Sequence, residues 1–108
     1  MFKVLKHKYN AVRCERDEKK FDSKLERRYY DLLKILQRSG EVIFFLRQIP
    51  FDLPGNTRYF ADFLIFKANG EVEIVDCKGK MTDMAILKIK QVESLYPIQI
   101  KIVKSQDI

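Results

Sequence analysis

The sequence has no tryptophan, one histidine, two cysteines, three prolines and four glycines in 108 residues. Each scarcity excludes something. His7 stands alone, and Cys14 and Cys77 are far apart with no CxxC or Cys/His partner, so a zinc site is not expected. Two isolated cysteines read as reduced thiols, which points to a cytosolic setting rather than a secreted, disulfide-bonded one. Few glycines and prolines, with no low-complexity tract and no internal repeat, argue against a linker or fibrous chain. No stretch approaches the about 20 apolar residues that a membrane-spanning helix requires. Lys3, Lys6 and Lys8 are followed by no apolar run, so no signal peptide is expected either.

What is present is enough for one core. The chain is 46% hydrophobic and 12% aromatic, which suits a single domain over residues 1–108. Residues 1–10 are basic and are expected to form a flexible leading segment. Twenty-one basic residues against fifteen acidic ones give a net charge of +6. Such a surface attracts polyanions, nucleic acid first and anionic membrane second.

Periodicity predicts the elements. Ala11 to Cys14 and Lys20–Phe21 can form a short hairpin around Arg16-Asp17-Glu18. Leu25, Tyr29, Leu32, Leu33 and Leu36 recur at i, i+4, i+7, i+8 and i+11, which predicts a helix from about Lys24 to Arg38. Asp22 or Ser23 can cap its start and Gly40 its end. Val42 to Leu53 reads as a strand interrupted or ended near Pro50, followed by a Pro54-Gly55-Asn56 turn. Arg58–Phe66 and Glu71–Lys78 are strands about an Asn69-Gly70 hairpin turn. Thr82 or Asp83 starts a second helix that Pro97 stops, and Ile98 to Val103 is a last strand. The order α-β-β-β-α-β implies an α/β domain, with a mixed central sheet flanked by helices.

Three carboxylates are out of keeping with their surroundings. Strand alternation puts Phe60, Asp62, Leu64 and Phe66 in one row, so Asp62 interrupts large apolar side chains. Burying an unpaired carboxylate costs several kcal/mol, roughly, so this residue needs a partner or a task. Val72, Ile74, Asp76 and Lys78 share a face of the next strand, Asp76 and Lys78 being rooted ~7 Å apart. A two-residue turn sets Ala68 opposite Glu71 and hence Asp76 opposite Phe63, beside Asp62. Close carboxylates repel unless a cation joins them, and a hard ion such as Mg²⁺ accepts such oxygen ligands. A lysine alongside can stabilise phosphate charge. The competing account is a solvated Asp76–Lys78 salt bridge at a strand end. Glu26 also has two accounts: Ser23-Lys24-Leu25-Glu26 matches a capping box, while the flank Glu26, Tyr30, Leu33 can turn the carboxylate toward the sheet.

The runs Phe21-Asp22-Ser23-Lys24-Leu25-Glu26, Arg47-Gln48, Tyr59-Phe60-Ala61-Asp62-Phe63, Val75-Asp76-Cys77-Lys78-Gly79 and Lys88-Ile89-Lys90, in this order and strand context, resemble the PD-(D/E)XK nuclease superfamily. The likeness is greatest to small phage-encoded members similar to Holliday-junction resolvases. It implies a restriction-endonuclease-like core and a Mg²⁺-dependent DNA endonuclease, with Mn²⁺ as a substitute. Glu26, Asp62, Asp76 and Lys78 would be catalytic. Asp62, Asp76 and the backbone carbonyl of Cys77 would hold the metal, with Glu26 reaching it through water, and the Cys77 thiol would pack in the core. The resemblance also implies that the second helix lines the site, which makes Lys88, Gln91 and Lys90 candidates for contact with nucleic acid. A solvated lysine-rich face explains the same residues. Gln48 occupies a recurrent position with no role assigned. Among further basic residues (Lys3, Lys6, Lys8, Arg13, Arg27, Arg28, Arg58, Lys80), Arg58 and Lys80 flank the site in sequence and rank first as phosphate contacts.

The expectation is therefore a cytoplasmic enzyme, in a host's cytoplasm if phage-encoded, hydrolysing DNA phosphodiesters. A chain this short has no module to spare for reading sequence, so branched DNA is the expected substrate. Paired cuts at a four-way junction would call for a homodimer. The rivals are a non-catalytic DNA-binding or assembly protein of the same fold, and a basic interaction domain with no nucleic-acid role.

Overall fold

The computed structural model describes residues 14–108; the expected flexible segment at 1–10, the residues Ala11–Arg13, and the candidate phosphate contacts Lys3, Lys6, Lys8 and Arg13 lie outside them. A short hairpin comes first, β1 (Cys14–Arg16) and β2 (Lys19–Phe21). The two residues between them, Asp17 and Glu18, both have positive φ (53° and 62°). That is the backbone of the two-residue turn whose twist matches paired strands. Helix α1 (Lys24–Ser39) follows, then β3 (Val42–Leu53), β4 (Thr57–Lys67), β5 (Val72–Cys77), helix α2 (Asp83–Leu95), β6 (Ile100–Val103) and one 3-10 turn at Ser105–Asp107. The described residues form a mixed α/β fold: β3-β4-β5-β6 make one sheet, antiparallel except for the parallel β5–β6 pair.

The helices begin and end for local reasons. Ser23 Oγ accepts the Glu26 amide at 3.0 Å, and Gly40 closes α1 in a left-handed conformation (φ 89°) that a side chain would strain. Thr82 caps α2 in the same way through the Ala85 amide. No helix among the described residues is long and apolar enough to cross a membrane.

The two helices cover opposite faces of the sheet and make two cores. Tyr29, Tyr30 and Leu33 of α1 pack with Phe21 on Phe63, Ile65, Val75 and Val103. Ile89 and Val92 of α2 pack on Leu53, Tyr59, Ala61, Ile74 and Ile100. Strand β4 serves both. Its alternate residues 59, 61, 63 and 65 are all buried, but Tyr59 and Ala61 belong to the α2 core and Phe63 and Ile65 to the α1 core. The strand changes partners at Asp62.

Two expectations are corrected. Strand β3 does not stop at Pro50, which pairs with Phe60 within a strand continuous to Leu53. An edge strand has one side free of ladder bonds, so a residue lacking N–H is tolerated there. The β4–β5 turn is one residue longer than a two-residue hairpin. Lys67 N donates to Glu71 O, Gly70 N donates to Lys67 O, and Gly70 takes φ 92°. The loop is therefore Ala68-Asn69-Gly70 with glycine at the left-handed position. The register moves by one: Phe63 faces Val75, not Asp76, and Leu64 faces Ile74. Continued one step further, the ladder sets Asp62 directly across from Asp76.

Candidate active site

Three elements and the segment after β5 bring the site residues together. Glu26 comes from the first turn of α1, Asp62 from the point where β4 changes cores, Asp76 from the buried end of β5, and Lys78 from just beyond it. Asp76 is fully buried (0% exposed) and Glu26 nearly so (3%). The Asp62 amide donates to Asp76 Oδ1 at 2.8 Å, and the Cys77 amide donates to Asp62 Oδ2 at 2.8 Å. Each aspartate is thus fixed by the backbone beside the other. The second oxygen of Asp76, Oδ2, is buried with no hydrogen-bond partner; Lys78 Nζ stands 3.9 Å from it. The Lys78 amide donates to Val103 O at 3.0 Å, so β6 holds the lysine's backbone past the end of β5.

Glu26 settles its two accounts in an unexpected way. Ser23 caps the helix, but the Glu26 carboxylate accepts instead from Arg47 Nη2 and Gln48 Nε2, both at 3.2 Å. Arg47 also donates to Lys20 O at 2.8 Å and lies over the Phe21 ring, 4.1 Å from its centre. Gln48 reaches Asp62 Oδ1 at 3.4 Å with the same Nε2 that serves Glu26. A continuous polar path therefore runs Glu26–Gln48–Asp62–Asp76–Lys78.

Gln48 is the residue whose importance the sequence does not convey. It has φ 54° in the middle of β3. A non-glycine residue there costs on the order of 1–3 kcal/mol. The kink breaks the strand's alternation: Arg47, before it, turns to Glu26 and Phe21, whereas Ile49, after it, packs with the α2 core. The amide is thereby aimed between two carboxylates. Gln48→Gly is expected to keep or raise the melting temperature. Gln48→Val, which resists positive φ, is expected to melt about 5 °C or more below the glycine variant. Thermal unfolding of the two variants side by side checks the strain, and equal melting points would refute it.

The electrostatics follow from burial. Desolvation, then the nearby Asp62 charge, pushes the Glu26 carboxyl up from 4.5 to about 7, against the Arg47 hydrogen bond. Desolvation also raises Asp62 and Asp76, opposed in both cases by a backbone amide and by Lys78. Burial pushes the Cys77 thiol up as well, so it stays protonated and packs in the α1 core as expected.

The donor set bears on a metal. Among the described residues no group of three or more His, Cys, Asp and Glu side chains is arranged to hold an ion. Mg²⁺ does not require one, since it is commonly bound by one or two carboxylates with water and substrate oxygens completing the shell. A buried carboxylate oxygen without a donor, beside a second carboxylate and a lysine, is compatible with that arrangement.

The accessory candidates are less concentrated. Lys88 is half-buried on α2, while Lys90 and Gln91 are exposed, as is Lys80. None of them is joined by hydrogen bond or ion pair to the four acidic-site residues among the described residues. Arg58 pairs with Asp52 at 2.7 Å on the exposed surface. Arg28 ties α1 to Ser105 and Ile108, and Arg27 pairs with Asp31.

A comparison with curated proteins gave no match. The family described as Protein of unknown function (DUF1064) matches residues 6–107, nearly the whole chain, and the protein belongs to that family.

Proposed function

We propose that this chain is a Mg²⁺-dependent DNA endonuclease of PD-(D/E)XK type with a restriction-endonuclease-like core. The reading rests on one observation: Asp76, wholly buried, keeps an oxygen without a donor beside Asp62 and 3.9 Å from Lys78. A structural carboxylate at such depth normally has its hydrogen bonds filled.

Asp62, Asp76 and the Cys77 carbonyl would hold the ion, Glu26 contributing through water. Mg²⁺, when bound, supplies charge to polarise the scissile phosphate and to acidify a water. The chain's own residues do the rest. The Cys77 and Asp62 amides fix the two aspartates in advance, so no reorganisation is needed. Lys78 offers a positive charge to the phosphate or orients the attacking water. Gln48 and Arg47 hold Glu26 against the site, and Glu26, with its pKa near neutrality, can take up or release a proton there. Branched DNA as substrate, a homodimer for paired cuts, and work inside a cell, a phage host's included, belong to the same proposal. Arg58, Lys80, Lys88, Lys90 and Gln91 are its candidate DNA contacts.

The test is a purified full chain with Mg²⁺ or Mn²⁺ against labelled duplex, single strand, flap and four-way junction. Metal-dependent cutting is expected, with Lys78→Ala slower by roughly 10²–10⁴-fold. Cleavage of none of these in either metal would leave a non-catalytic DNA-binding or assembly role.

A further inference from the structure

Strand pairing extends unevenly around the site. β3 and β4 pair from Val42↔Lys67 to Leu53↔Thr57, but β5 joins β4 only over Phe63–Phe66. The outer half of the hairpin, residues 49–53 with 57–61, continues beyond β5 as a two-stranded arm. One side of the arm is seated on α2. Leu53, Tyr59 and Ala61 pack there, the Phe51 and Tyr96 rings meet at 5.2 Å, and Tyr96 Oη donates to Asp52 O at 2.8 Å. The other side carries Pro50 directly across from Phe60, and Asp52 across from Arg58.

Phe60 is 49% exposed, although it stands on a braced strand two residues from Asp62. Arg58, Phe60 and Asp62 alternate with the buried Tyr59, Ala61 and Phe63, so they form one row. Each step along that row is ~7 Å. A phosphate held at Asp62 therefore leaves the Phe60 ring within reach of a neighbouring base. Bases inside a continuous duplex have both faces covered, whereas a base at a branch or flap can offer one face to a ring.

We infer that Phe60, backed by Pro50, stacks on an unstacked base beside the phosphate held at Asp62 and Asp76, so that the substrate class is DNA whose stacking is interrupted at the cut. This rests on the nuclease reading above. The row begins at the acidic site, passes the ring and ends at Arg58, whose guanidinium Asp52 braces at 2.7 Å. The chain's net charge of +6 favours a polyanionic partner for the molecule as a whole. Apolar side chains, phenylalanine and proline among them, are suited to entering an opened base step.

The experiment compares wild type, Phe60→Ala and Phe60→Trp on continuous duplex and on a flap and a four-way junction of the same sequence, with Mg²⁺. Each branched substrate carries 2-aminopurine at the branch. Phe60→Ala is expected to lower the preference for branched over continuous DNA by roughly 5- to 100-fold, the range of one lost base stack. Phe60→Trp is expected to retain it. Aminopurine fluorescence should report the stack on binding, in wild type and Phe60→Trp but not in Phe60→Ala. Equal losses on all substrates, no loss, or a tryptophan variant as poor as alanine would overturn the inference. So would a change in oligomeric state on Phe60→Ala, which would assign the ring to a contact between copies. If wild type cuts nothing, the nuclease reading fails, and the fluorescence still decides the stacking.

Discussion

Asp76→Asn is expected to abolish DNA cleavage, by roughly 10³-fold or more, while leaving the protein as stable as wild type or more so. The two halves come from different atoms of one side chain. Oδ1 accepts the Asp62 amide, and asparagine retains that acceptor. Oδ2 is buried without a donor, and its negative charge is opposed by burial. Replacing it by a neutral group removes an unfavourable charge from the fold and the ligand from the site. Losing about 4 kcal/mol of charge stabilisation in the transition state amounts to about three powers of ten, each 1.36 kcal/mol being one. Thermal unfolding and single-turnover cleavage on one preparation check both halves. A variant that cuts as well as wild type removes Asp76 from the chemistry. One that unfolds markedly earlier makes its role structural.

The second large effect is on stability against pH. A carboxyl with a higher pKa folded than unfolded binds its proton more tightly in the fold. Its contribution is therefore full below the unfolded value and is lost as pH rises through the folded one. For Glu26 that window runs from 4.5 to about 7. At 1.36 kcal/mol per pH unit the loss is on the order of 3 kcal/mol. Asp62 and Asp76 are raised as well and act in the same direction. In the absence of divalent metal the protein should be more stable at pH 5 than at pH 8. Glu26→Gln should flatten that slope, with Arg47 still held by Lys20 O and Phe21. Mg²⁺ should recover stability at pH 8 and have little effect at pH 5. Urea unfolding across pH measures this. A flat profile, or a Glu26→Gln protein with an unchanged slope, would remove the buried carboxylate as its cause.

The features legible in the sequence were those with a period. The apolar spacing of α1, its Ser23 and Gly40 ends, and the alternation of β4 required only residue types. The nearness of Asp62 to Asp76 was also legible, because both lie toward the same end of one hairpin. Their facing was not. Asn69-Gly70 suits a two-residue turn, and only the left-handed Gly70 after Ala68 and Asn69 makes the loop three residues and moves the register by one. Pro50 reads as a stop because sequence does not say which strand is at the edge. Gln48 was marked only by the resemblance, which gave it no role, since one positive φ inside an apolar strand has no periodicity. Its effect appears only where Glu26 and Asp62 arrive from other elements. The capping box was half right: Ser23 accepts the Glu26 amide, and the glutamate's own side chain is drawn to Arg47 and Gln48.

The single parallel pairing makes β6 dependent on a crossover that the other strands do not need. Antiparallel β3, β4 and β5 are joined by short turns and can zip from local contacts, whereas β6 meets β5 only after the α2 crossover is laid down. Lys78 depends on that late partner through Val103 O. In a chain that has closed its hairpins but not yet docked β6, the two aspartates already face each other with nothing to hold the lysine beside them. A substitution that weakens β6 docking should therefore loosen the lysine's backbone before it disturbs the facing aspartates.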